Sequence, residues 1–277
     1  DDRPEKIPMI HRMFAAVLLM GCSAAVRADT QQFLVYRQDV NIGRVIAEVN
    51  GSSAKIEFDV KDNGRGPTVA ETLMLDANGL PSRWRITGTQ TFGGKIDESF
   101  ERRGNTSSWR DSTGPGAAKG PPRLYVAQSA SPWALQLYAR EILRAGKPID
   151  VLPGGTIALA KGERLTLRGK DGELPVTRYD LSGLELNPTI MLLDDEQRLI
   201  ALPSASGGLI SAGFEQENPR LQKLVAEWQS ARWAEIQRST AKKFTAPVRI
   251  TNVRVFDPAT RQLSAPLSVV VSGRSIS

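Results

Sequence analysis

Alternating apolar and polar residues run through the first half of this chain and predict β-strands there. In residues 55–60 the alternation is strict, which places Ile56, Phe58 and Val60 on one buried face. Similar segments separated by short turns rich in Gly and Asn are predicted at residues 32–37, 43–49, 68–75, 84–91, 95–102 and 106–110. Because no helical segment separates them, we expect an antiparallel meander with one face in solvent, either flat or curved into a half-barrel.

Two later segments have helical periodicity. The first begins after Ser131, a suitable N-cap followed by Pro132, and ends at Gly146. The second runs over residues 218–243 with an apolar stripe, and its Trp228 and Trp233 are expected to pack it against the sheet. Short strands fill residues 152–202 between them, whereas residues 111–122, rich in Gly, Pro, Ser and Ala, are expected to form a surface loop. The predicted fold class is α+β, mainly β, with the meander sheet covered by one or two helices.

The C-terminal segment predicts a separate hydrophobic strand pair. Residues 248–256 alternate as a strand, and residues 268–271 form a second one. No later segment covers this pair, so we expect an incomplete β-sandwich, since unpaired strand edges are a liability in a finished fold. The predicted organisation is therefore a signal segment at 1–28, a β-rich domain with two helices at 29–245, and a partial β-hairpin unit at 246–277.

The first 28 residues have the three parts of a secretory signal in order. Lys6, His11 and Arg12 form a basic segment, an apolar run over residues 13–20 follows, and Ala28 and Asp29 flank the expected cleavage site. The apolar run is shorter than the roughly 20 residues that a membrane span requires. The mature protein is therefore expected in the periplasm or outside the cell.

Cys22 leaves a second interpretation of this segment open. The residues Leu19, Met20 and Gly21 before it resemble a lipobox, in which the cysteine becomes the lipidated first residue of a bacterial lipoprotein. Lipidation at Cys22 would tether the protein to the outer membrane. Cleavage after Ala28 would instead remove the cysteine with the signal.

Composition and charge exclude several function classes. The 277 residues carry a formal charge of +6, but basic residues are interspersed with acidic ones and form no stripe with aromatic residues, so we expect no nucleic-acid partner. His11 is the only histidine and Cys22 the only cysteine, and both lie in the expected signal. The mature sequence therefore offers no Ser-His-Asp triad and no histidine-ligated zinc.

The C-terminal segment resembles the opening strand of amidohydrolase-superfamily enzymes. The phrase Ile250-Thr251-Asn252-Val253-Arg254-Val255-Phe256-Asp257 is similar to the I-x-N-V-x-V-F-D with which a small β-sandwich begins in that family, and residues 263–274 resemble its second strand. Residues 63–67, 79–81, 87–93 and 152–155 resemble the N-terminal extension of some exported members.

This resemblance implies a full-length parent in which a metal-dependent barrel hydrolyses C–N bonds, non-peptide or peptide-like, with a divalent metal of the zinc type. The metal ligands of the family are mainly histidines, and none of them can be matched to a residue of this sequence. No catalytic, metal or cofactor residue is therefore assigned here, and the sequence given is expected to be inactive alone, with the missing catalytic barrel as its partner. A non-enzymatic envelope protein that holds a lipid or another apolar ligand in a half-barrel remains the alternative.

A few polar residues are the remaining site candidates. Arg65, between Gly64 and Gly66, is a weak candidate for a ligand-binding loop, although the glycines are equally typical of a turn. The carboxylates Asp97, Glu98 and Glu101 are interpreted as a solvated strand face rather than a catalytic pair. Residues 194–197 lack the spacing of a calcium loop and are expected to form a hairpin turn.

Overall fold

The computed structural model describes residues 29–277. Two sheets of unequal size contain most of its strands. The larger, of 14 strands, comprises β1 Asp29–Arg37, β2 Val40–Asn50, β3 Ser53–Val60, β4 Thr68–Leu75, β5 Pro81–Thr89, β6 Lys95–Arg103, β7 Thr106–Asp111, β8 Gly114–Lys119, β9 Ile149–Asp150, β10 Thr156–Gly169, β11 Gly172–Ser182, β12 Thr189–Leu193, β13 Leu199–Ser204 and β14 Gly207–Ser211. Two helices, α1 Leu135–Ala145 and α2 Asn218–Thr240, accompany it. The predicted α+β, mainly β fold is confirmed.

The 14-stranded sheet, called the main sheet below, is antiparallel throughout and is not closed. Its order is β8 to β1 followed by β14 to β9, so every neighbouring pair except β1 and β14 is consecutive in the chain. The tight turns fall at the expected Gly residues; for example, Gly51 between β2 and β3 adopts a φ of 57°. These short hairpins explain why the chain forms a meander without crossovers.

The main sheet is strongly curved. Laid flat, 14 strands at about 4.8 Å spacing would place β8 and β9 about 60 Å apart. In the structure Tyr125, shortly after β8, bridges to Leu152, shortly after β9, and these short connections hold the two edges within about 35 Å. The sheet therefore wraps around an interior.

Helix α1 fills that interior. Its Leu137, Tyr138 and Ile142 belong to one core with inward residues from strands at opposite ends of the sheet order, such as Phe100 of β6 and Ile157 of β10. We call this the inner core. Helix α1 begins after a 3-10 turn at Pro132–Ala134 and ends at Gly146, which is left-handed with a φ of 64°, as predicted.

Helix α2 lies on the opposite, convex face. Leu221 packs with Leu192, Ile200 and Ile210 in a second core, the outer core. Strands β11–β14 are therefore covered on both faces, whereas the outer face of β2–β8 carries charged residues. Trp233 was expected to pack α2 against the sheet, but it lies on the second half of the helix and is 55% exposed.

The structure corrects one further prediction and adds one strand. Residues 111–122 are not a loop, because Gly114–Lys119 pairs with β7 as the edge strand β8. Strand β14, which the sequence pattern did not indicate, joins the N-terminal and C-terminal halves of the main sheet by pairing with β1 and β13.

The last residues form the second, smaller sheet. Strands β15 Val248–Val253, β18 Leu267–Ser272 and β19 Ser275–Ile276 form three antiparallel strands, and β16 Phe256–Asp257 pairs with β17 Gln262–Leu263 in the connection. Strand β15 pairs with β18 as expected, but the predicted strand over residues 248–256 is divided between β15 and β16. We call residues 248–277 the C-terminal sheet.

Candidate functional site

Arg65 lies in a tight hairpin turn. Its backbone exchanges hydrogen bonds with Asp62 across Asn63 and Gly64, both of which have positive φ. At Gly66 a Cβ atom would lie 1.9 Å from the Val60 carbonyl oxygen, so this glycine is required by close backbone approach. The Gly residues around Arg65 are thus accounted for by turn geometry.

Asp97 and Glu101 lie on the outer face of β6, as the alternation predicts. Arg85 contacts Asp97 at 2.5 Å, and Arg83 contacts Glu101 at 2.9 Å, both from the neighbouring strand β5. These arginines lower the pKa of both carboxyl groups. The two residues form solvated cross-strand ion pairs.

The structure corrects the interpretation of Glu98 as part of a solvated strand face. It is 1% exposed and points into the inner core between Ile96 and Phe100 of the same strand. Its Oε1 accepts hydrogen bonds from the Tyr125 hydroxyl at 2.8 Å and from the Gln128 N–H at 2.9 Å, and its Oε2 accepts one from the Ser129 N–H at 2.8 Å. Glu98 therefore holds the segment that leads from β8 to α1.

Glu71 is a second buried carboxylate, which the sequence reasoning missed. It is 2% exposed and accepts hydrogen bonds from Trp84 Nε1 at 2.9 Å and from the Ser131 N–H at 2.7 Å. Ser131 immediately precedes the turn that opens α1, so the carboxylate sits where the helix dipole is positive. Burial raises the pKa of Glu71, and the nearby Glu98 adds to that rise.

The two carboxylates lie in one row across the main sheet. Glu71 on β4 is opposite Ile86 on β5, which is opposite Glu98 on β6. Their oxygens accept hydrogen bonds from the segment before α1 and, for Glu71, also from Trp84 of β5. We call this arrangement the carboxylate clamp, because it fixes the entry of α1 into the curved sheet.

The turn at Asp194–Gln197 is confirmed as a hairpin connection between β12 and β13. Asp194 accepts hydrogen bonds from the Arg198 N–H at 2.8 Å and from Arg198 Nε at 2.7 Å, and Gln197 takes a positive φ of 60°. Asp195 forms a bidentate pair with Arg164 of β10. These acidic groups stabilise the turn.

The C-terminal sheet has an unusually apolar surface. Of twelve large hydrophobic residues that are exposed in residues 29–277, six lie in its thirty residues: Ile250, Val255, Phe256, Leu263, Leu267 and Ile276. The main sheet buries its apolar side chains in the inner and outer cores, so the contrast is local. Clustered exposed apolar residues are typical of a surface that binds another protein.

The proposed cleavage and lipidation residues are only partly within the described chain. Cys22 and Ala28 lie outside residues 29–277, whereas Asp29 begins β1. Residues 29–277 bring together no group of three or more His, Cys, Asp or Glu side chains that could hold a metal ion. In the same range, no helix is both long enough and apolar enough to cross a membrane.

Comparison with known proteins leaves the family open. No protein-family model, no curated protein and no solved structure matches the chain. The functional assignment therefore depends on the geometry above and on the residues of the C-terminal segment.

Proposed function

We propose that this chain is the non-catalytic N-terminal part of an exported, amidohydrolase-like, metal-dependent hydrolase that acts on C–N bonds. In this proposal the main sheet is a self-contained domain, and the C-terminal sheet is the part that joins it to a catalytic barrel. The metal, a divalent ion of the zinc type, and its ligands belong to that barrel. The export signal at residues 1–28 directs the protein to the periplasm or the medium, or to the outer membrane if Cys22 is lipidated.

The observation that carries the proposal is the exposed apolar surface of the C-terminal sheet. Ile250 is 49% exposed and Ile276 is 75% exposed, and strand register places both on one face of the three-stranded sheet β15-β18-β19. A three-stranded sheet with one open apolar face is only marginally stable in water, and a second sheet packed about 10 Å away would bury that face. A β-sandwich completed by the catalytic part of the enzyme supplies such a second sheet.

The local backbone of this segment agrees with the resemblance. Its phrase spans β15 and β16, and Asn252 near the end of β15 has a positive φ of 59°, at the register shift of that strand. Val253 pairs with Leu267 after a shift of register, so β18, the strand that follows the phrase, returns beside β15. A strand, a bend and a returning strand are the elements that the family resemblance implies.

The direct test adds the coding sequence that follows Ser277 and measures metal-dependent hydrolysis. We expect the extended protein to hydrolyse amide or cyclic-amide probes, to lose this activity with a chelator and to regain it with Zn²⁺. An immediate stop codon, together with a monomeric protein that does not bind a hydrophobic dye, would contradict the proposal. Bound dye would report the exposed apolar face.

A pair of matched variants tests the role of the C-terminal sheet. Ile250→Asp should abolish assembly with the catalytic part, because it places a charge in the apolar face of the three-stranded sheet. Phe92→Asp is the control, since Phe92 is also exposed but lies in the turn between β5 and β6. Equal activity of the two extended variants would contradict docking through this face.

A second candidate, the apolar-ligand half-barrel, is favoured by one observation. The main sheet curves around an apolar interior that includes Trp84, Phe100 and Tyr125. Helix α1 occupies that interior, so ligand binding requires α1 to leave it. Mass spectrometry of the purified protein tests this candidate: a stoichiometric bound lipid would support it, and a lipid-free protein would count against it.

A further inference from the structure

We propose that a groove between α2 and strands β11 and β12 binds an acidic saccharide, that is, a sugar ring carrying a carboxylate. The groove encloses about 120 Å³ and is lined by Trp228, Trp233 and Arg232 of α2, by Arg178 of β11, and by Asn187 before β12. This is below the 300–1,000 Å³ typical of sites that enclose a large ligand, so it suits one ring. The inference is independent of the proposed hydrolase function.

The floor of the groove is held rigidly. The Arg178 guanidinium stacks over the Trp228 ring at 4.5 Å from its centroid. Asp180 fixes this guanidinium through hydrogen bonds of 2.9 Å and 2.5 Å. The stacked arginine and the tryptophan are therefore ordered before a ligand arrives, which lowers the entropic cost of binding.

Trp233 provides an open aromatic face in the same groove. It is 55% exposed and belongs to neither the inner core nor the outer core. An indole ring offers a large apolar surface with one hydrogen-bond donor, which suits the C–H face of a sugar ring.

The polar rim distinguishes a saccharide from an apolar side chain of a partner protein. The side chains of Asn187, Gln229 and Arg232 line the groove, and none of them takes part in a side-chain hydrogen bond or ion pair found within residues 29–277. An apolar group seated there would remove these polar groups from water without replacing their hydrogen bonds. The hydroxyl groups of a sugar supply the missing partners.

The charge of the groove selects an acidic sugar. Asp180 pairs with Arg178, which Glu163 also approaches at 4.0 Å, whereas Arg232 has no carboxylate partner within the described residues. Arg232 therefore supplies a positive charge that a ligand carboxylate can pair with in bidentate geometry. We expect a neutral sugar of the same size to bind more weakly.

Isothermal titration calorimetry with trigalacturonate and a hyaluronan tetrasaccharide tests the proposal, with maltotriose and chitotriose as neutral probes. We expect saturable binding of at least one acidic probe and at least tenfold weaker binding of both neutral ones. Trp233→Ala should weaken acidic-probe binding at least tenfold, and Arg232→Gln should reduce the preference for the acidic probe. Circular dichroism checks that the variants fold, which is expected because both side chains are exposed.

The matched control is Arg238→Gln. Arg238 lies on the same helix and pairs with Glu235 outside the groove, so its loss removes an equal charge without touching the groove. Binding that falls equally in Arg238→Gln and Arg232→Gln would mean unspecific attraction and would overturn the proposal. A lack of saturable binding with either acidic probe would also overturn it. So would a result in which Trp233→Ala abolishes binding to another protein and leaves saccharide binding unchanged.

Discussion

The main sheet and the C-terminal sheet are both antiparallel, but the main sheet buries most of its large apolar side chains and the C-terminal sheet leaves several of them exposed. In the main sheet, the inward Phe100 stacks on Tyr125 of the segment after β8, with 4.6 Å between ring centroids, inside a core closed by α1. In the C-terminal sheet, residues of the same kind, such as Phe256 and Leu263, face outward.

The difference lies in what covers each sheet. Helices α1 and α2 lie on opposite faces of the main sheet, and its own curvature encloses the inner core. The C-terminal sheet has five short strands in about thirty residues, divided between a three-stranded and a two-stranded sheet, and this is too few to curve around a core of their own. Alternation alone thus predicts a strand, but the covering element decides whether the strand belongs to a finished domain.

The largest expected difference in unfolding free energy comes from replacing one phenylalanine by alanine in each sheet. Phe100→Ala should lower the free energy of unfolding by about 3–5 kcal/mol, because it leaves a cavity beside Tyr125. Phe256→Ala should change it by no more than about 0.5 kcal/mol, since the ring is already in solvent. Urea unfolding followed by tryptophan fluorescence measures both values, and equal losses would remove the distinction between the sheets.

The next largest effect compares carboxylates on opposite faces of β6. Glu98→Ala leaves the Tyr125 hydroxyl and two backbone N–H groups without their acceptor, so we expect a loss of about 3 kcal/mol. Glu101→Ala on the outer face removes only solvated ion pairs with Arg83 and Arg103 and should cost far less than Glu98→Ala. Chemical unfolding compares the two variants, and a similar cost for both would contradict the carboxylate clamp.

The pH dependence of stability tests the other half of the clamp. Burial raises the pKa of Glu71 above the ordinary value of 4.5, so the folded protein binds this proton more tightly than the unfolded chain does. The resulting stability is fully present below pH 4.5 and is lost as the pH rises through the higher pKa of the folded state. Each tenfold change in the acid constant corresponds to about 1.4 kcal/mol.

Glu71→Gln isolates this effect because glutamine does not ionise. The difference in unfolding free energy between wild type and variant should move in favour of the wild type when the pH falls from 8 to 5. Outer-face carboxylates such as Asp97 titrate in both proteins and cancel in the difference. A difference that moves in favour of the variant on acidification would show that the pKa of Glu71 is lowered instead.

The smallest expected effect concerns the boundary between the sheets. Removing residues 246–277 should change the unfolding free energy of the main sheet by less than about 0.5 kcal/mol, because the two sheets share no strand pairing. Differential scanning calorimetry of the shortened protein measures this. A large drop in its melting temperature would mean that the C-terminal sheet is part of the main fold.

Much of the main sheet could be predicted because local signals and tertiary structure agree there. Strand β4 at Thr68–Leu75 and the end of α1 at Gly146 match the sequence pattern, since alternation and turn glycines act locally. Strands β8 and β14 were missed because their glycines resemble turn residues. At Gly208 a Cβ atom would lie 2.4 Å from the Leu202 carbonyl oxygen, so that glycine permits close strand approach instead.

The carboxylate clamp was harder to predict because burial depends on partners far away in sequence. Glu98 shares its strand face with Ile96 and Phe100, which is a signal that alternation could have given. What keeps it buried is a set of donors about thirty residues later, at Tyr125, Gln128 and Ser129. A charged residue at an inward position therefore indicates a buried polar contact when the facing segment can supply several donors.

Hydrogen–deuterium exchange tests the central proposal most directly. The proposal is that a further part of the protein covers the C-terminal sheet, whereas the main sheet is already covered by its own helices. In the chain alone, backbone amides of β5 and β6 should be strongly protected, and those of β15 and β18 should exchange rapidly. In the protein extended beyond Ser277, β15 and β18 should become protected while β5 and β6 stay unchanged. Strong protection of β15 and β18 in the chain alone would contradict this account.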